Sequence, residues 1–459
     1  MSGGDSLGKM GIVAKTSWFD RLLSLRHPGR ADSDEEVEGL VLSGGGSRAS
    51  FHIGALRYLY DNCHISPTSV TATSSGSICA AMLAQSLDPA VQSANLHILE
   101  KYWLAMNDPS EMYTEQSWFT KLKQQWGDIS GVIPESTGSD PAFVDTSGSD
   151  AEHLVKEAIV FDPSVHDGDF SFSSLWQILG ALPRLGKVGA GMAGILRGAE
   201  HASSAYRPGP IVHRLLFESG FNADNVRTSG MKLRMAFVGL QSGELRFMRE
   251  DGIIVDSDDQ PIEPTSFDLP LGVWASCAIP GVFRPVKLGD DMYIDGGIRE
   301  NLPVEMAVNG LSVTKPYVIC SIAPGVPHAD FTDKDMISIL VRTLGLLTDE
   351  TTRDEVEWAR HAGATVIGPE FEVHSSMTVE RGLLRINRDY GWMRAAEEMS
   401  GVSGSLPIVK ARVELYETCK GDDGDAIAAA RSKLRTLLSE AESGLLPEGY
   451  ESWPDETWD

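Results

Sequence analysis

Between Gly39 and Gln85 the chain alternates short apolar runs, glycine- or serine-rich turns and helical spacings, and this alternation constrains the fold more than any other feature. Gly39–Ser43 (GLVLS) is an apolar run opened by a glycine and followed by three more, the pattern of a buried strand. Arg48–Asn62 follows, with Phe51, Ala55, Leu56 and Leu59 at helical spacing. Ser69–Thr73 (SVTAT) is a second, β-branched run, and Gly76–Gln85 a second helix. Strand, turn, helix, strand, turn, helix predicts an α/β domain whose parallel strands are covered by helices. Further strands are expected at Lys232–Val238, Glu244–Met248, Val282–Leu288 and Tyr317–Ile322.

The remaining segments are arranged around that domain. Residues 1–37 are expected to form an appendage with a short amphipathic helix at Ser17–His27. Residues 38–400 form the main domain, interrupted by an insertion at about 107–207. Residues 401–459 form a helical extension ending in a loosely ordered acidic tail. Within the insertion, Ser174–Ala199 carries only basic charges (Arg184, Lys187, Arg197) and reads either as a glycine-rich buried hairpin or as an interfacial lid. A formal net charge of −26 argues against broad nucleic-acid binding, which needs a basic surface. The five cysteines are scattered and form no CxxC pair, so neither a disulfide framework nor a zinc site is suggested. The first residues lack the apolar stretch of a secretory signal, and no window offers about 20 uninterrupted apolar residues. A cytoplasmic soluble protein is expected, with peripheral contact to membranes left open.

Two turns carry chemistry. Ser43-Gly44-Gly45-Gly46-Ser47-Arg48 lies between a strand and a helix, where bare N–H groups bind negative charge, whether a phosphate or the oxyanion of acyl transfer. Gly44-x-Gly46-x-x-Ala49 loosely fits a dinucleotide fingerprint. That motif wants an acidic residue at the end of the next strand, where this chain has Thr73-Ser74-Ser75-Gly76. A phosphate-cradling Walker loop fails because no Gly-Lys-Ser/Thr follows the glycines. In Ala72-Thr73-Ser74-Ser75-Gly76-Ser77, a serine on a strand-to-helix turn has small residues at −2 and +2, the arrangement of a nucleophile elbow. Only Ser74 has the right offset. Its candidate partner is Asp295, in Tyr293-Ile294-Asp295-Gly296-Gly297, although Asp-Gly-Gly in isolation is a tight turn. An ordinary triad would add His328, His361 or His374, none of which sits in a recognisable motif. Asp422-Asp423-Gly424-Asp425 lacks a twelve-residue calcium loop and reads as a helix cap.

Taken in order, SGGGSRASFHIGAL, TATSSGS, ASCAIPGVFRP and YIDGGIRENLP resemble the motifs of patatin-like phospholipases, over about Gly39–Ala323 and more weakly towards residue 400. The resemblance implies a three-layer α/β fold with a mainly parallel central sheet between helices. It implies a lipid acyl hydrolase of phospholipase A or lysophospholipase type. Ser74 would be its nucleophile and Asp295 its base, without histidine. Gly44, Gly45 and Gly46 would supply the oxyanion hole and Arg48 would steady that loop. Ala275-Ser276-x-Ala278-x-Pro280 would be a packing element. No metal or other cofactor is implied. Ala72 and Ala49 stand where the family usually has glycine, and impaired activity is the most these changes should cause. The implied partner is a phospholipid or lysophospholipid at a membrane surface, with Ser17–His27 and Ser174–Ala199 as candidate docking segments. A transacylase with the same dyad and a non-catalytic or ligand-gated lipid-binding module are the alternatives. Head-group preference and oligomeric state stay open.

Overall fold

Leu40 and Leu42 face one side of the first strand and Val41 the other, and each side meets a separate core, so helices must cover both faces of the sheet. The structure is a computed structural model describing residues 36–117, 120, 204–325, 332 and 336–458. Ser17–His27, Ser174–Ala199, most of the 107–207 insertion and His328 lie outside the described residues.

The strands are β1 (Glu38–Leu42), β2 (Ser69–Thr73), β3 (Tyr113–Glu115), β4 (Tyr206–Pro208), β5 (Lys232–Gly239), β6 (Leu245–Arg249), β7 (Ile253–Val255), β8 (Pro261–Ser266), β9 (Val286–Leu288), β10 (Asp291–Asp295), β11 (Lys315–Ile319) and β12 (Thr365–Ile367). The order β12-β11-β1-β2-β5 is parallel throughout. From β5 the sheet continues through β6, β7 and β8 as an antiparallel meander, while β3 and β4 make a separate hairpin. A mixed, mostly parallel sheet between helices matches the implied fold class.

Among the described residues, the helices of eight residues or more are α1 (Ala49–Cys63), α2 (Ser75–Leu83), α3 (Pro89–Ala105), α4 (Leu269–Ser276), α5 (Met336–His361), α6 (Arg381–Ser400), α7 (Ser405–Thr418) and α8 (Gly424–Ser439). Ala72 and Ala49 are fully buried in the larger core, which accommodates both methyl groups. Glycine costs helix stability relative to alanine, yet α1 carries Gly54 and α6 carries Gly391. A Cβ on Gly54 would come within 1.7 Å of the Arg388 carbonyl oxygen, and one on Gly391 within 2.1 Å of that of Phe51. The two backbones therefore touch, and only glycine permits it.

Two expected strands are shorter than anticipated. Val282–Leu288 is a strand only from Val286, because Gly281 at φ 77° turns the chain and the Val282 carbonyl is taken by the Tyr206 N–H. β11 ends at Ile319, because Ser321 leaves the ladder to bond Ser43 and Gly44. Asp423 caps α8, accepting from the N–H groups of Asp425 and Ala426, as the sequence suggests.

The acidic tail departs from expectation. Residues 450–455 form a 3₁₀ turn whose Trp453 is buried in the same core as the main domain, together with Val409 from α7 and Leu434 from α8. Arg412 fixes it. Fully buried, it donates to Asp389 Oδ2 at 2.5 Å and Glu456 Oε2 at 2.7 Å, with its guanidinium 3.7 Å from the Trp453 ring centroid. Removing one member of a buried ion pair strands the other. Arg412→Ala is therefore expected to destabilise the protein by about 3–5 kcal/mol, read as a lowered urea midpoint. An unchanged midpoint would mean the tail is held by apolar packing alone.

Candidate active site

β1 and β2 run parallel with Leu42 opposite Ala72, so the turns that follow them emerge at the same sheet edge. The crevice outside the carboxyl ends of parallel strands is where open α/β sheets place ligands. Ser74, just beyond β2, has φ 53° and ψ −130°, a region that costs a non-glycine residue about 1–3 kcal/mol and needs outside support.

Ser276 provides that support. Its buried Oγ accepts the Ser74 N–H at 2.9 Å, lies 2.8 Å from Ser77 Oγ and donates to the Ala236 carbonyl at 2.7 Å. A hydroxyl has one proton, so Ser77 must donate to Ser276. The segment read from sequence as a packing element is thus also a polar tie between the serine turn and β5.

The candidate acid arrives from the opposite direction. β10 runs antiparallel to β5, on the side where β2 has just ended: Thr73 faces Ala236, and Asp295 faces Phe237. Two strands meeting end to end against adjacent residues of a third bring Ser74 and Asp295 together. The Asp295 carboxylate accepts the Gly297 N–H at 2.8 Å and lies within hydrogen-bonding reach of the Ser74 hydroxyl. Burial pushes its pKa up to about 6, against the lowering effect of those two bonds. The two candidate histidines among the described residues are occupied elsewhere. His361 Nδ1 lies 2.8 Å from the Glu357 carbonyl, and His374 Nδ1 lies 2.9 Å from the Ser375 carbonyl, with burial pulling its ring down to about 4.

The glycine turn is fastened at one peptide group. The Gly44 N–H donates to Asn301 Oδ1 at 3.0 Å, and the Gly44 carbonyl accepts from Ser43 Oγ at 2.8 Å and Ser321 Oγ at 2.9 Å. This corrects one expectation: the N–H of Gly44 is already used and is not free to receive an oxyanion. The N–H groups of Gly45 and Gly46 have no acceptor among the described residues. Because C=O and the next N–H point in opposite directions across a trans peptide, the hydroxyls that hold Gly44 also turn the Gly45 N–H away from themselves. Gly46, at φ 61°, lines the cavity beside Ser74. Arg48 sits behind the turn, its Nε 3.3 Å from the Gly45 carbonyl and its guanidinium paired to Glu372 at 3.4 Å.

Asn301 is in turn gripped by α5. Its N–H and that of Leu302 bond the two Glu355 oxygens at 2.9 and 2.8 Å, and its Nδ2 bonds Thr352 Oγ1 at 3.0 Å. Burial pushes Glu355 up to about 8. Sequence reasoning missed Asn301 and Ser276 although both lie inside quoted motifs. It also missed Ser75, which lines the cavity at the positive end of α2, and whose place directly after the elbow serine was the available signal.

In front of Ser74 lies a cavity of about 290 Å³, walled by Gly46, Ser75 and largely apolar side chains including Ile78, Trp274, Ile279, Phe283 and Met377.

Residues 40–308 match the family model for patatin-like phospholipase, more than half of the chain, and the protein belongs to that family. An uncharacterised protein of Bacillus subtilis, YqhO, is 34% identical over 93 residues, a match spanning 18% of this chain and 31% of that relative's length. VipD from Legionella pneumophila aligns at 14% identity over 89% of this chain and 81% of its own, with a TM-score of 0.28. ExoU in complex with SpcU, from the type III secretion system of Pseudomonas aeruginosa, aligns at 15% identity over 88% and 67%, with a TM-score of 0.22. At such TM-scores the assignment rests on the family match.

Ser276→Ala leaves the Ser74 N–H and the Ala236 carbonyl without this partner. The expected cost is about 1–3 kcal/mol, read as a lower urea midpoint at unchanged slope. A wild-type midpoint would mean the serine turn holds itself.

Proposed function

We propose that the protein is a lipid acyl hydrolase that cleaves carboxylic esters of phospholipids or lysophospholipids reached at a membrane surface. The observation that carries this reading is a strained, supported Ser74 whose hydroxyl is in reach of a buried carboxylate, at the wall of an apolar cavity edged by Gly46.

Ser74 Oγ attacks the ester carbonyl as its proton passes to Asp295. A carboxylate with a raised pKa is a better base than an ordinary aspartate. The N–H groups of Gly45, Gly46 and Ser75 receive the oxyanion, and losing one such donor commonly costs about 10²–10³ in rate. The tetrahedral species collapses, and Asp295 returns the proton to the departing alcohol. Water then attacks the acyl-enzyme, gives its proton to Asp295, and Ser74 recovers a proton as the fatty acid leaves. These steps draw on no group beyond the named residues and water.

The test is fatty-acid release from mixed phospholipid vesicles in the presence of chelator. Ser74→Ala and Asp295→Asn should each lower kcat by about 10³-fold or more while remaining folded. Activity surviving Ser74→Ala would overturn the assignment and direct attention to Ser75 and Ser77.

The pH dependence follows from the buried carboxylate. As the base, Asp295 must be ionised, so kcat/KM should rise with pH, reach half its plateau near 6 and fall tenfold per unit below. For stability the sign is opposite. The folded-state pKa lies above the unfolded value, so the folded protein holds the proton more tightly and loses stability as pH rises from about 4 to about 6. Asp295→Asn lacks this penalty. At pH 8 it should be more stable than wild type by up to about 3 kcal/mol, measured by urea unfolding. A less stable variant would mean the carboxylate is held by bonds the amide cannot replace.

A further inference from the structure

Arg284 is the only charged side chain among the described residues lining the cavity that holds Ser74. It is exposed, and it has no ion pair or hydrogen-bond acceptor among the described residues. That is unusual in a protein with 65 acidic and 39 basic residues, where most arginines of the main domain are paired. Its neighbours in the wall, Ile279, Phe283 and Val286, offer the guanidinium nothing to bind. The position is also well fixed. Pro285 biases Arg284 towards an extended backbone, and the preceding turn is tied by bonds from the N–H groups of Ala205 and Tyr206 to the carbonyls of Gly281 and Val282, at 2.9 Å each.

Arg207 and Lys287 adjoin the lining residues Pro208 and Val286 but do not themselves line the cavity, and two other cations beside the site turns are committed. Arg48 is buried behind the glycine turn on Gly45 and Glu372, and Arg299 donates to the Gly243 carbonyl. A planar guanidinium with free donors, at the edge of an apolar cavity, suits the bidentate recognition of a phosphate.

We propose that Arg284 binds the phosphate of a glycerophospholipid whose acyl ester lies against Ser74, so that the site selects phosphate-bearing lipids over neutral glycerides. This rests on the acyl-hydrolase reading above. The apolar wall receives the acyl chain, and the glycerol backbone places ester and phosphate a few bonds apart, one at the serine and one at the arginine.

The experiment uses short-chain esters soluble as monomers, so that no bilayer contributes: dihexanoyl phosphatidylcholine against dihexanoyl glycerol. Arg284→Ala should lower the phospholipid-to-glyceride ratio of kcat/KM about tenfold, through KM and not kcat. Arg284→Lys should restore part of it, because lysine offers a point charge without the fork. Equal losses on both substrates would overturn the proposal in favour of a packing role. An unchanged ratio would place the phosphate elsewhere.

A second measurement separates this inference from the hydrolase reading. In a Ser74→Ala background, dihexanoyl phosphatidylcholine is titrated calorimetrically with Arg284 present or replaced by alanine. About tenfold weaker binding without Arg284 supports the phosphate site even if the wild type hydrolyses neither ester, in which case the hydrolase reading alone fails. Hydrolysis with binding indifferent to Arg284 sinks this inference alone.

Discussion

Strand β5 brings the serine and the aspartate of the site together, because its Ala236–Phe237 step is where β2 stops and β10 begins. On one side it accepts a parallel strand that delivers a serine. At the next residue it accepts an antiparallel strand that delivers an aspartate. The Ala236 carbonyl, opposite the last residue of β2, receives the Ser276 hydroxyl that also holds the serine turn. A shift of one residue in either pairing would send the delivered side chain to the other face of the sheet. The change from parallel to antiparallel pairing at β5 is therefore what allows two strands to point at each other.

Burial of that junction has two consequences that cannot be separated. It removes water from the Asp295 carboxylate and raises its proton affinity, which suits a base for a serine hydroxyl. It also demands a partner for every polar group nearby, since an unsatisfied buried donor or acceptor costs about 1–3 kcal/mol. Ser75 Oγ apart, which is buried without a partner among the described residues, the surrounding groups meet that demand in order: Ser276 on the serine turn, Ser43 and Ser321 on the Gly44 carbonyl, Asn301 on the Gly44 N–H, and Glu355 and Thr352 on Asn301. Among the described residues, the peptide N–H groups left over in the two turns include those of Gly45, Gly46 and Ser75. The donors available to a ligand are thus defined by elimination, through the satisfaction of their neighbours.

Strands β1, β2, β5 and β6, the first two helices and both site turns were legible because their signals are local. Apolar run length marks β1 and β2, glycines mark the turns, and Ser74 is distinguished from Ser75 and Ser77 by its offset to Gly76. The roles of Ser276, Asn301 and Glu355 were not legible, since each depends on a partner far along the chain: 202 residues for Ser276 and Ser74, and 257 for Asn301 and Gly44. Gly44 was misassigned for the same reason. Nothing in three consecutive glycines says which N–H another segment will take. The C-terminal tail was misread because its acidic composition suggests solvation, whereas one buried arginine, invisible as such in the sequence, recruits Glu456 and Trp453 into the core.

The same principle accounts for the contrast between Arg412 and Arg284. A guanidinium is always charged, so a buried one must be surrounded by acceptors, and Arg412 has two carboxylates and an aromatic face. Arg284 keeps its solvation by standing at the exposed edge of a cavity, so the fold imposes no such requirement on it. Burial requires the partners of Arg412, and nothing in the fold requires a partner for Arg284. A lysine, a glutamine or a shorter polar residue at that rim would be as well solvated. What distinguishes arginine there is its rigid, planar set of donors, which suits an anion of matching geometry, the role proposed above.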